Sequence, residues 1–299
     1  MKRAFSLVEL IVVIAIIGVL ASVILGTFSG GTASAKAAKC LTNMRNLAAA
    51  CQSYGMAKGY YPTAGSFEVM KPDEESGEMY YYEHRGWIGW NSRGLLSTRK
   101  KSPSGSQAWH TSTYNDDFET RTYVLTNSVL WKYVNCNSDV YRCPLHIQKM
   151  HDPSPNWSYV MNAYFGWDST HKECVGHGID FNDLSRADRR LLFAELPFAG
   201  IGVSAVVEKS GELCDSVLQY DGCSGCGQAE AIGFNHRIGK REVYGHICFA
   251  DGHVEKLVYP KKGLSESQMR DLTKWLCEGK DVSFNGTEYQ KLNRTDNDD

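Results

Sequence analysis

The chain has 299 residues, a formal net charge of −2 and an aromatic content of 11%. This length allows a membrane element plus one sizeable domain, or two small domains, and the aromatic content excludes a globally disordered chain. The nearly balanced charge gives no strongly basic surface, so nucleic acid is not an expected partner.

The N-terminal segment has the composition of a membrane helix. Lys2 and Arg3 precede it, and residues 10–25 contain no charged side chain. With its apolar neighbours this stretch reaches about 20 residues, the length of a helix that crosses a bilayer. The two basic residues predict a cytoplasmic N-terminus and an exported remainder.

Glu9 stands at the start of the apolar stretch, where a carboxylate is costly in lipid. The order of basic residues, Ala4, Phe5, Glu9 and an apolar run resembles the cleavage and methylation signal of type IV prepilins and pseudopilins. The resemblance implies that a prepilin peptidase/N-methyltransferase cuts between Ala4 and Phe5 and methylates the new amine. It also implies that Glu9 neutralises the Phe5 ammonium of a neighbouring subunit, because an apolar bundle tolerates these charges only as a pair. The family usually has Gly before the cut, so slower cleavage is expected at Ala4.

Other interpretations of this segment stay open. Ala33-Ser34-Ala35 matches a small-x-small site for ordinary signal peptidase, although it lies ten residues past the end of the apolar run at Leu25. An uncleaved signal anchor is a further alternative. In that case Glu9 would sit at the level of the lipid headgroups.

An amphipathic helix is predicted over residues 36–54, and Gly55 and Gly59 favour its end. Gly30-Gly31 could loosen or kink the helix before that point. The resemblance to pilins implies a hydrophobic half-helix in the membrane and an amphipathic half-helix packed on the head. The predicted buried face consists of Ala37, Leu41, Met44, Leu47, Ala48, Cys51 and Tyr54. Cys40 and Cys51 share one side of this helix and are interpreted as buried small residues, too far apart to bond to each other.

The remaining chain predicts a loop-rich head. Residues 63–120 are polar and irregular, and their aromatic residues, among them Trp87 and Trp90, are assigned to core filling rather than to an exposed binding surface. A short helix is predicted at 124–133 and a buried strand at 191–195. Asp251-Gly252 between two β-rich runs predicts a hairpin with positive φ at both residues. Residues 265–277 predict a helix, with Ser265 and Gln268 as a capping box.

The hairpin region adds a second resemblance. Phe249-Ala250-Asp251-Gly252-His253-Val254 resembles the C-terminal signature of large pilin-like proteins, in which a His precedes Asp-Gly by nine residues. In this chain fourteen residues separate His236 from Asp251, which leaves the role of His236 open.

The ten cysteines suggest disulfides if the head is exported. Cys136 with Cys143 could close one small loop, and Cys214 with Cys223 or Cys226 could close another. Cys223 and Cys226 form a CxxC, but no second CxxC or CxxH accompanies it, so no metal is predicted. Unpaired thiols remain the alternative for each pair. No catalytic motif was found, and we predict neither a catalytic residue nor a cofactor.

These observations predict an α+β protein, with a long N-terminal transmembrane and amphipathic helix packed on a mainly antiparallel β head. The predicted units are a leader (1–4), the helix (5–58), an exported head (59–284) and a flexible tail (285–299). The predicted function is a non-enzymatic pilin or pseudopilin, of a minor or specialised kind. Its expected partners are prepilin peptidase, other pilin subunits and inner-membrane lipid. The alternative is a membrane-anchored binding module, for example for polysaccharide, on a pilin-like stem.

Overall fold

The structure is a computed structural model that describes residues 7–65, 67–72, 79–88, 90–91, 94–95, 125–145, 157–168, 173–174, 178–196, 217–218, 232–238 and 242–292. These residues combine a long N-terminal helix with a mainly β region, as the predicted α+β class requires. Side chains at 21–32 and in several short strands are not described, and neither are Tyr80, Tyr81, Tyr82 and Trp90.

Helix α1 (Leu7–Lys58) joins both predicted half-helices into one continuous element. Gly30 and Gly31 lie inside it. The helix ends at Gly59, where φ is +83° and the backbone N–H donates to the Gly55 carbonyl at 2.7 Å. A left-handed residue of this kind is a common helix stop, and glycine adopts it without steric cost. Among the described residues, no helix combines the length and the apolar character needed to cross a membrane.

The second half of α1 packs against the head. Its buried residues include all of the predicted face except Leu41, which is only partly buried. Residues outside that predicted face are also buried, among them Cys40, Asn43 and Ala50. Asn43 was predicted to lie elsewhere on the helix. It is buried because its side-chain amide donates to the carbonyls of Asp139 and Arg142, both at 2.8 Å.

A six-stranded sheet forms the centre of the head. Its strands are β5 (Tyr159–Asn162), β8 (Leu191–Glu195), β9 (Val217–Leu218), β10 (His236–Ile238), β11 (Glu242–Phe249) and β12 (Val254–Val258). Their order in the sheet is β10-β11-β8-β5-β9, and β12 also pairs with β11. Within the described residues, all of the pairings are antiparallel except the β5–β9 pair, which is parallel. The sheet is therefore mixed, although most of it is antiparallel as predicted.

The predicted hairpin exists, but its turn is of another type. The Phe249 backbone N–H donates to the His253 carbonyl at 3.0 Å, and this hydrogen bond closes the loop between β11 and β12. The loop thus has three residues, and of the predicted pair only Gly252 has positive φ, at +91°. The prediction for Asp251 was wrong, because a three-residue loop needs one left-handed residue, at its end, rather than two.

The remaining elements surround this sheet. The helix predicted at 124–133 is replaced, in the described part, mainly by turns, and Asn135 and Cys136 have positive φ. Ser128 contributes to this difference, because its hydroxyl contacts the Leu130 N–H and the Trp87 carbonyl. A 3-10 helix follows at Ser138–Tyr141. The small hairpins are β1 (Phe67–Pro72) with β2 (Met79–His84), β3 (Trp90–Asn91) with β4 (Gly94–Leu95), and β6 (Trp167–Asp168) with β7 (Glu173–Cys174).

The C-terminal part of the head begins with helix α2 (Glu266–Cys277), which has the predicted capping box between Ser265 and Gln268. A hairpin of β13 (Val282–Phe284) and β14 (Tyr289–Lys291) follows. The boundary predicted at residue 284 therefore falls inside this hairpin. The Tyr289 hydroxyl donates to the Val258 carbonyl at 2.6 Å, which ties β14 to the end of β12.

Candidate functional site

The N-terminal part of α1 exposes a continuous apolar surface. The large aliphatic side chains of residues 7–20 are between 47% and 74% exposed. Glu9 lies in the first turn of the helix and is also exposed. The predicted processing residues, Ala4 and Phe5, lie outside the described residues. A single chain thus leaves an apolar surface uncovered, which is typical of a segment that contacts lipid or another protein.

A second candidate site is buried where α1 meets the central sheet. Its centre is Glu195, the last residue of β8, whose side chain is fully buried. The Glu195 Oε1 atom accepts from His236 Nε2 at 2.8 Å and from His246 Nδ1 at 2.9 Å. It is also 3.0 Å from the His246 backbone nitrogen and 3.2 Å from the Cys40 thiol sulfur. Four donors therefore converge on one carboxylate oxygen.

The other oxygen of Glu195 is held separately. Asn235 donates its side-chain amide to Glu195 Oε2 at 2.7 Å and to the Leu196 carbonyl at 2.8 Å. The carboxylate plane is thus fixed from both sides by residues that are themselves buried.

Two thiols complete the cluster. Cys143 Sγ lies 3.9 Å from His236 Nε2 and receives the Leu145 backbone N–H at 3.5 Å. Cys40 Sγ receives the Tyr159 hydroxyl at 3.4 Å. One ligand atom from each of Cys40, Cys143, Glu195 and His236 lies within 4.8 Å of the others, and all four residues are at most 1% exposed.

Distant parts of the chain supply these side chains. Cys40 comes from the packed half of α1, and Cys143 follows the 3-10 helix. Glu195 comes from the end of β8 and His236 from the start of β10. Cys40 and Glu195 are 155 residues apart in the sequence. The cluster consequently connects the helix to three separate parts of the head.

The electrostatics of the cluster centre on Glu195. Burial raises the pKa of its carboxyl, but hydrogen bonds from His236 and His246 outweigh burial and lower that pKa to about 2. Burial lowers the pKa of His236, while its contacts with Cys143 and Glu195 outweigh burial and raise that pKa to about 9. A charged His236 has a cost, because its Nδ1 atom is buried and has no hydrogen-bond partner among the described residues.

The two thiols differ. Burial raises the pKa of Cys40 far above its ordinary value. The contact with Cys40 lowers the pKa of Cys143 to about 7, assisted by His236 and opposed by burial. Of the two sulfurs, Cys143 is therefore the one that becomes a thiolate more readily.

Chemically, the cluster offers two sulfur donors, one imidazole nitrogen and one carboxylate oxygen. These are the donor types that Zn²⁺ takes in proteins. All four side chains are buried, as the ligands of a closed structural site are.

The predicted disulfides receive no support from these contacts. Cys136 and Cys143 are both free thiols in the structure, one exposed and the other buried in the cluster. Their pairing stays a prediction. Cys214, Cys223 and Cys226 lie outside the described residues.

Sequence reasoning missed the buried cluster. Cys40 was interpreted only as a buried small residue, and His236 was not connected with Cys40, Cys143 or Glu195. Glu195 offered the clearest signal, because it ends the apolar run Leu191-Leu192-Phe193-Ala194 that was predicted to be buried. A buried carboxylate requires partners, and cysteine and histidine are the types to search for.

Comparison with known proteins bears on the N-terminal segment. Residues 1–25 match the prokaryotic N-terminal methylation motif. The match indicates a prepilin-peptidase substrate of the type IV pilin-like or pseudopilin-like class, and such motifs are typical of membrane-anchored, exported pilins. It confirms the prepilin-type signal that the order of residues predicted. Searches among curated proteins and among solved structures gave no match.

Proposed function

We propose that this chain is a structural subunit, a pilin or pseudopilin of a minor or specialised kind, in a type IV pilus or a type II secretion-like filament. In this proposal prepilin peptidase cuts between Ala4 and Phe5, and the head is exported. The observation that carries the proposal is the prepilin-type motif at the start of a helix whose residues 7–20 expose large aliphatic side chains and whose second half packs on a head.

The exposed half of α1 supports assembly on energetic grounds. Burial of one large aliphatic side chain stabilises by about 1.5–3 kcal/mol, and residues 7–20 present many such side chains in one helix. We propose that inner-membrane lipid covers this surface before assembly and that the helices of other subunits cover it in the filament. The same surface would have no use in a free, released head.

Glu9 supplies the specific contact in this proposal. In an apolar bundle its carboxylate would pair with the methylated Phe5 ammonium of a neighbouring subunit, since each charge alone would be costly there. The head carries out no reaction in this account, and we propose that the protein is not an enzyme. Nucleic acid is not among the proposed partners.

The test is Glu9→Ala in the native host, with filaments sheared from the cells and quantified by immunoblot against the membrane fraction. The proposal predicts a normal amount in the membrane and a strong loss from the sheared fraction, because the apolar surface is kept while the ion pair is lost. Glu278→Ala in the head removes a carboxylate of the same type and serves as the matched control. Normal assembly of Glu9→Ala would contradict the proposal.

A further inference from the structure

The hydrogen bonding at Glu195 is unusually crowded. Oε1 has contacts at 2.8–3.2 Å with four donors: His236 Nε2, His246 Nδ1, the His246 backbone nitrogen and Cys40 Sγ. A carboxylate oxygen offers about two lone-pair positions. Without a metal, some of these donors must therefore share an acceptor position on Oε1. His236 Nε2 and Cys40 Sγ are among the donor atoms that can also bind a metal.

From this geometry we infer that Cys40, Cys143, Glu195 and His236 form a structural zinc site that ties the helix α1 to the head. Thiolate, imidazole and carboxylate are all zinc ligands, and four protein ligands give a closed, tetrahedral site. This inference does not rest on the proposed function.

The distances are close to those of a tetrahedral site. Bond lengths of about 2.0–2.3 Å imply ligand–ligand edges of roughly 3.3–3.8 Å. The observed separations are 2.8 Å for His236 to Glu195, 3.2 Å for Cys40 to Glu195 and 3.9 Å for Cys143 to His236. Shifts of about half an ångström, within reach of side-chain rotation alone, would bring them into that range.

Three of the four ligands are also held by further hydrogen bonds, as the ligands of metal sites generally are, whereas His236 Nδ1 has no partner among the described residues. Asn235 fixes Glu195 Oε2 at 2.7 Å, and His246 holds Oε1 through its backbone and its ring. The Leu145 N–H at 3.5 Å stabilises negative charge on Cys143, and the Tyr159 hydroxyl does the same for Cys40.

A metal would also relieve the conflicts of the proton-only state. It replaces the protons on Cys40 Sγ and His236 Nε2, which leaves Oε1 with fewer competing donors. Because the ligands are buried, the ion must enter as the head folds, and metal release should accompany unfolding.

The experiment uses the full chain in detergent, purified with a tag that contains no histidine. Metal content is measured by mass spectrometry, and the protein is then unfolded, stripped with chelator and refolded with Co²⁺. We expect about one zinc per chain, and a thiolate-to-cobalt absorption band after refolding. Cys40→Ser and Cys143→Ser should each lose most of the bound zinc.

Cys51→Ser is the matched control, because Cys51 is equally buried and on the same helix. It should keep the metal. A double variant, Cys223→Ser with Cys226→Ser, should also keep it, which separates this site from the CxxC. If a cluster variant fails to fold, the zinc content and the cobalt spectrum of the wild-type protein still test whether the site exists.

Three results would overturn the inference. The first is a wild-type protein that contains no zinc and gives no thiolate-to-cobalt band. The second is zinc that disappears with the Cys223/Cys226 double variant but not with Cys40→Ser. The third is a Cys40–Cys143 disulfide in the native protein, detected by peptide mass spectrometry without reduction.

Discussion

The two halves of helix α1 differ in composition and in environment. Residues 7–20 expose their aliphatic side chains, whereas Met44, Leu47, Ala48 and Cys51 in the second half are fully buried against the head. The second half also contributes polar contacts, through Cys40 at the Glu195 cluster and Asn43 at the 3-10 helix. The head covers the packed face of the second half, whereas the aliphatic side chains of residues 7–20 are exposed.

This difference separates two kinds of mutational effect. Changes in the second half should alter the stability of the head, because the contacts they remove lie within the chain. Changes in the first half should leave the head intact and alter assembly.

The largest effect is expected from Glu195→Ala. Loss of this buried carboxylate leaves His236, His246 and Asn235 without their common acceptor, and breaking a buried charged pair costs about 3–5 kcal/mol. Urea unfolding of the full chain in detergent, followed by tryptophan fluorescence, measures the change. Glu278→Ala, in a long and partly exposed pair with Lys274, should change stability by less than about 0.5 kcal/mol. Equal effects of the two variants would contradict the role of Glu195 as the centre of the cluster.

A leucine pair compares the two halves of α1 directly. Leu47→Ala removes a fully buried side chain and should lower the stability of the head by about 2–5 kcal/mol. Leu10→Ala, at a residue 59% exposed, should change it by less than about 0.5 kcal/mol. The same urea titration applies to both variants. If Leu10→Ala destabilised the head as much as Leu47→Ala, the first half of α1 would have partners within the chain.

An asparagine pair tests the polar contact of the second half. Asn43→Ala leaves the Asp139 and Arg142 carbonyls without this donor, and a loss of about 1–3 kcal/mol is expected. Asn46 is exposed on the same helix, so Asn46→Ala should have almost no effect on the unfolding midpoint. Identical midpoints for the two variants would rule out a stabilising role for Asn43.

The smallest effect concerns a part of the head distant in sequence from α1. Ser265→Ala removes the N-cap of helix α2 and should cost about 1 kcal/mol. Ser53→Ala makes the same chemical change in an exposed helical position, where the hydroxyl bonds to the Ala49 carbonyl. It should be neutral or stabilise slightly, because alanine has the higher helix propensity. Thermal unfolding by circular dichroism distinguishes the two signs.

Local signals in the sequence predicted the local structure well. The apolar spacing of residues 37–54 located the packed face of α1, and the Ser265/Gln268 pattern located the start of α2. The buried strand at 191–195 and the hairpin around Gly252 were also predicted. In each case the deciding interactions lie within a few residues of each other, so the pattern is visible in the sequence.

The cluster could not be predicted in this way. Its residues become neighbours only when β8 and β10 both pair with β11 and α1 packs against the sheet. Asn43 was assigned to the wrong environment for a related reason, since its partners are carbonyls about 100 residues away that no side-chain pattern reveals. Residues 127–136 form mainly turns rather than the predicted helix, because the Ser128 hydroxyl makes hydrogen bonds that compete with a helix.

The mass of the mature N-terminal peptide, measured on membrane fractions of the native host, tests the central claim most directly. Processing by prepilin peptidase predicts a peptide that begins at Phe5, with or without one added methyl group. This result would connect the motif at residues 1–25 to a subunit whose exposed half-helix is available for assembly. A peptide that begins at Lys36, or an intact Met1, would contradict the account, because the first would remove the exposed half-helix and the second would make it a simple anchor.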